Sequence, residues 1–150
     1  MKSFRIQGGF TFVEVLVVIA LLVGLTGLAI PFYQSFQVGS QLDNTTQELS
    51  QTLRLAQAQA MATESLSAFG VHFESESFTI FKGVTYVSGD PINEVIPFTS
   101  AITITPSMGS EVVFSSLHGE TGNAGTIAVA ASNGSSRTLT INDLGVVDVN

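Results

Sequence analysis

Gly8-Gly9-Phe10-Thr11-Phe12-Val13-Glu14-Val15-Leu16-Val17-Val18-Ile19-Ala20-Leu21-Leu22-Val23 is an apolar run broken by one carboxylate, and no further charge follows Glu14 until Asp43. Across residues 10–30 only Thr11, Glu14, Thr26 and two glycines are neither large apolar groups nor alanine. As a helix rising about 1.5 Å per residue, this stretch is roughly 32 Å long, enough to cross a hydrocarbon core of about 30 Å. Lys2 and Arg5 are the only basic residues before it and an acidic stretch follows it. The positive-inside bias therefore puts the N-terminus in the cytoplasm and everything after Pro31 outside.

Behind the span the sequence turns polar, alternating and rich in Ser, Thr and Gly, as in a soluble domain. With 150 residues, 45% apolar and 11% charged, the chain is sized for one domain and too apolar for disorder. It holds no cysteine, so an exported domain must be held by packing without disulfides. A net charge of −7, with Arg54, Lys82 and Arg137 scattered, argues against a nucleic-acid partner.

Three readings of the N-terminus compete. A secretory signal peptide needs an apolar core of about 7–15 residues and a small-residue cleavage site; this run is longer, and no Ala-x-Ala pattern closes it. A simple membrane anchor explains length and flanks but leaves Glu14 unexplained. At mid-span such a charge would cost about 2.5–3.5 kcal/mol, less if it snorkels toward the headgroups. The third reading comes from a resemblance: a short basic leader ending in Gly9, then Phe-Thr-Phe-Val-Glu, a long apolar run and Pro31 resemble the N-terminus of type IV prepilins and type II secretion pseudopilins. The glycine usual in the first half of such helices is shifted by one position, to Gly24.

That resemblance implies a prepilin peptidase that cuts between Gly9 and Phe10 and methylates the new amine of Phe10. Partners would be other pilin or pseudopilin subunits, the inner-membrane assembly platform, and lipid before assembly. The protein would start as a single-pass protein of the bacterial inner membrane and end in an extracytoplasmic filament. A carboxylate in a low-dielectric setting needs a cation or a proton. Pairing of Glu14 with the Phe10 amine of a neighbouring subunit would fix axial register, since apolar packing alone does not. Gly24, Gly27 and Pro31 weaken the helix, at about 1 kcal/mol for glycine and about 3 kcal/mol for proline. Residues 24–31 are expected to kink or partly unwind on assembly, or to hold a static proline kink.

After Pro31 the period changes. Leu42, Thr46, Leu49, Leu53, Ala56, Ala60 and Thr63 recur in steps of four and three, and Leu55, Ala58, Ala62 and Leu66 widen that stripe. One long helix is predicted over residues 10–66. Beyond it, alternation of period two predicts a hairpin of Val71 and Phe73 with Phe78 and Ile80. Further strands are predicted at 84–87, 94–98, 101–105, 111–114, 126–131, 137–141 and 146–149, with a tight turn at Asn133-Gly134. The expected fold is α+β: a long N-terminal helix with one antiparallel sheet, or two small ones, packed on its second half. The expected division is a leader at 1–9, a transmembrane or filament-core helix at 10–31, its amphipathic continuation at 32–67 and a β-rich domain at 68–150. Residues 49–60 and the ending Thr140-Ile-Asn-Asp-Leu-Gly-Val-Val147 also resemble the GspH/FimT-like minor pseudopilins, more weakly.

No catalytic motif is present, and neither a cofactor nor a metal site is expected. His72 and His118 lack ligand spacing, and His72 is expected on the solvent face of a strand. Asp90 with Glu94, or Asp143 with Asp148, lacks the dense oxygen spacing of a calcium loop. The chain thus reads as a non-enzymatic filament subunit, the alternative being a membrane-tethered extracellular binding module that does not polymerise.

Overall fold

The computed structural model describes residues 9–62 and 66–150, and for 28–32 the backbone alone. Lys2, Arg5 and Thr63 lie outside the described residues. One helix, α1, runs Phe12–Met61 and passes without a break in assignment through Gly24, Gly27 and Pro31. Eight strands follow: β1 Phe69–Phe73, β2 Ser77–Lys82, β3 Glu94–Pro97, β4 Ile102–Pro106, β5 Glu111–Phe114, β6 Gly125–Ala131, β7 Ser136–Ile141 and β8 Val147–Val149. They form two four-stranded antiparallel sheets, ordered β3-β2-β1-β5 and β4-β6-β7-β8.

The chain divides into two compact units, one ending at Phe36 and one running from Gln37 to the C-terminus. The second half of the helix belongs to the sheet unit, in keeping with the expected packing of the sheets on it. The reason is its buried stripe. Leu42, Leu49, Leu53, Ala56 and Ala60 join Val71, Phe78 and Phe114 of the first sheet and Ile127, Leu139 and Ile141 of the second in one core. Thr46 keeps its place on the stripe because its hydroxyl donates to the Leu42 carbonyl at 2.7 Å.

The stripe is widened by residues other than those predicted. Leu55, Ala58 and Ala62 are exposed, whereas Thr45, Ser50 and Thr52 are buried. The period marks the seam, but which neighbours close over it depends on the sheets. The helix also stops at Met61, five residues short of the expected end, and the Leu117 amide donates to the Ala60 carbonyl at 2.9 Å, satisfying one of the terminal acceptors. Leu66 adopts a left-handed backbone, φ 44°.

Most strands fall where alternation predicts. The Asn133-Gly134 turn closes β6–β7, with Gly134 at φ 88° and its amide bonded to the Ala131 carbonyl at 2.9 Å. The exception is 84–87, which is not a strand. It follows β2, whose two edges are already taken by β1 and β3, and Gly83, at φ 124°, turns the chain out of the ladder. Tyr86 from this loop stacks on His72 with centroids 4.0 Å apart and packs edge-on against Phe81. His72 is therefore largely covered, its side chain 19% exposed, and does not stand free on a solvent face.

Candidate functional site

The N-terminal segment is the part of the molecule whose chemistry is least satisfied by its own fold. Gly9, Phe10 and Thr11 are non-helical and exposed, Phe10 at 83%. Thr11 is the N-cap of α1. Its carbonyl accepts the first helical bond, from the Val15 amide at 3.3 Å, and its hydroxyl accepts from the Glu14 amide at 3.3 Å. Thr-x-x-Glu is the capping-box pattern, and Glu14 lies in the first turn, where free amides and the helix dipole favour an anion.

From Phe10 to Leu25 every large apolar side chain is exposed, on all faces of the helix. Thr26, the one hydroxyl deep in this run, donates to the carbonyls of Leu22 and Val23, each at 3.0 Å. It asks nothing of its surroundings. Thr11 and Thr26 are thus bonded within the helix, which leaves the Glu14 carboxylate as the polar group of this run that an outside partner can address. Around Gly24 and Gly27 a β-carbon would meet nothing within 4 Å, so these positions are open. Pro31 lies within α1, its side chain outside those described.

Among the described residues no helix is long and apolar enough to cross a membrane. The apolar part of α1 with described side chains covers 12–27, about 24 Å of rise. The rest of the span expected at 10–31 is Phe10 and Thr11, which precede the helix, and residues 28–31.

The sheet unit offers less. An open hollow of about 410 Å³ is lined by Ser115, Glu120, Thr121, Gly122, Asp143 and Leu144. Asp90 is engaged in its own loop, accepting from the Ile92 amide at 2.9 Å. Among the described residues no three His, Cys, Asp or Glu side chains converge as a metal site would need. The helix is tied to the loops by Arg54, which donates to the Val147 carbonyl at 2.9 Å, and by Gln57, which donates to the carbonyls of Gly119 at 3.1 Å and Leu144 at 3.0 Å. Sequence reading missed these ties, and it missed Thr11. The first are 62 to 93 residues apart and leave no local signal, but the Thr-x-x-Glu spacing of the second is visible in the letters.

The model of the type II transport protein GspH matches residues 45–145. The chain belongs to the GspH family. This match covers α1 from residue 45 onward and β1 to β7, so it is independent of the N-terminal motif. Among solved structures, the minor pseudopilin EpsH from the type 2 secretion system of Vibrio cholerae is similar, with a TM-score of 0.57 and 14% identity over 73% of this chain and 96% of that one. At that identity the likeness concerns the fold: a long helix followed by antiparallel sheets. No curated protein matches the chain in sequence. The GspH-family chain therefore carries a minor-pseudopilin fold behind an exposed apolar helix.

Proposed function

We propose that this GspH-family protein is a non-enzymatic subunit of a type II secretion pseudopilus or related filament, made as a precursor and polymerised through the first half of α1. The observation that supports this most directly is that half-helix. It exposes apolar side chains on every face, bonds its own hydroxyls internally, and presents one carboxylate, Glu14, a turn from Phe10. A helix apolar all round suits lipid first and other helices afterwards.

In this reading residues 1–9 are a leader that a prepilin peptidase removes, Phe10 becomes the methylated N-terminus, and residues 10–31 hold the subunit in the inner membrane until the assembly platform extracts it. Glu14 then pairs with the Phe10 amine of the preceding subunit and sets the axial step. Gly24, Gly27 and Pro31 let residues 24–31 extend as the helix enters the filament core. Of the five basic residues, loss of Lys2 and Arg5 leaves three against twelve acidic, net −9, which keeps the filament surface hydrophilic.

Intact mass of the membrane-extracted protein, with and without the peptidase, tests the reading. Loss of residues 1–9 with gain of one methyl supports it, and an uncut chain favours a plain tether. Glu14→Ala protein should be cut but should assemble poorly; filaments of ordinary length and spacing would remove the register role.

A further inference from the structure

We infer that Thr11 positions the scissile bond by fixing where α1 begins. This rests on the reading of residues 1–9 as a leader. Hydrolysis adds water across the Gly9–Phe10 peptide: its oxygen goes to the Gly9 carbonyl carbon, the C–N bond breaks, and the Phe10 nitrogen leaves as an amine. A peptidase must therefore reach that carbonyl in an extended chain. A peptide inside a helix turns its carbonyl along the axis and lies wrapped among neighbouring side chains, so it is shielded from such attack.

Helix α1 begins at Phe12, two residues beyond the cut, and Gly9, Phe10 and Thr11 stay non-helical. Nothing apolar prevents the helix from starting earlier. Phe10 is a tolerable helix residue, and glycine is itself an acceptable N-cap, so Gly9 offers an alternative start that would place Phe10 in the first turn. The choice between the two starts falls to Thr11. At the present start its hydroxyl satisfies the Glu14 amide and its carbonyl accepts from Val15. The same start holds Glu14 at the third helical position, near the positive end of the helix dipole; a start at Phe10 would carry it to the fifth. Thr11 is thus a positioning residue on the substrate side, separate from the register role of Glu14.

The N-cap ranking supplies the test, because it separates capping from a direct contact of the hydroxyl with the enzyme. Ser, Asn and Gly cap about as well as Thr or better, whereas Ala and Val cap poorly. Full-length protein in detergent, carrying Thr11→Ser, Thr11→Asn, Thr11→Gly, Thr11→Ala or Thr11→Val, would be cut with a purified prepilin peptidase, and the start of α1 read from backbone chemical shifts. The Ser, Asn and Gly variants should be cut at the parent rate with α1 starting at Phe12. The Ala variant should be cut about fivefold more slowly, matching the loss of one cap, with helical shifts reaching Phe10. The Val variant should be slowed similarly. Parent-like cutting of Thr11→Ala, or a Thr11→Gly variant as slow as Thr11→Ala, would overturn the inference while leaving the leader reading intact. An uncut parent chain would overturn both.

Discussion

The two halves of α1 are built from the same backbone and meet opposite fates. Residues 12–27 bury none of their large apolar side chains within the chain, whereas residues 42–60 place Leu42, Leu49, Leu53, Ala56 and Ala60 at 1% exposure or less. The first half is apolar on every face and the second on one stripe. Hydrophobicity summed along a helix thus says little about where it is buried. What decides is whether the apolar positions converge on a surface that the same chain can cover. The stripe finds two sheets; the large apolar side chains of residues 12–27 find no cover among the described residues.

Substitutions of matched size sharpen that contrast. Leu53→Ala removes a fully buried side chain from the shared core and should cost about 2–5 kcal/mol, read as a lowered midpoint of thermal unfolding of the sheets. Gly70→Ala should come next, at about 1–3 kcal/mol, because its β-carbon would lie 2.5 Å from the Phe81 ring and 2.6 Å from the Val112 carbonyl oxygen. Denaturant titration should show that loss with the urea slope unchanged. Gln57→Ala takes the donor from two carbonyls, those of Gly119 and Leu144, for about 1–2 kcal/mol; hydrogen exchange should quicken first in the loops 115–122 and 142–146. Arg137→Ala breaks a 3.0 Å pair with Asp43 whose side chains are 44% and 50% exposed, so a change under about 1 kcal/mol that fades with added salt is expected. Leu22→Ala, the counterpart of the first substitution, should leave the sheet unit's unfolding in micelles where it was. A loss there as large as that from Leu53→Ala would break the contrast.

Much of this was legible in the letters because its causes are local. The four-three stripe, the β1–β2 hairpin, the Asn133-Gly134 turn and six of the seven later segments predicted as strands follow from side-chain period and turn chemistry. The stretch 84–87 misled because Val84, Thr85, Tyr86 and Val87 are all of the β-branched and aromatic types that strands favour, yet Val84 and Val87 stand exposed on a loop. Its real work is done by Tyr86, laid on His72 and held by its amide to a Glu111 carboxylate oxygen at 3.2 Å. Leu55, Ala58 and Ala62 misled because, at about 3.6 residues per turn, they fall on the face opposite the Leu42–Ala60 seam, while Thr45, Ser50 and Thr52 lie beside the seam and are buried. At the N-terminus the cap is written in the Thr11-x-x-Glu14 spacing, inside an otherwise apolar pattern.

The sequence by itself determined that an apolar helix with a single early carboxylate leads into an amphipathic one, and that alternating segments after it form antiparallel strands, since both follow from periods of 3.6 and 2 along the chain. Only the tertiary structure decided that those strands divide into two sheets, which residues beside the α1 stripe they cover, and that Arg54 and Gln57 fasten the helix to loops distant in sequence. Such choices depend on which surfaces fit when brought together, and shape complementarity between distant segments is not encoded in the spacing of any one of them.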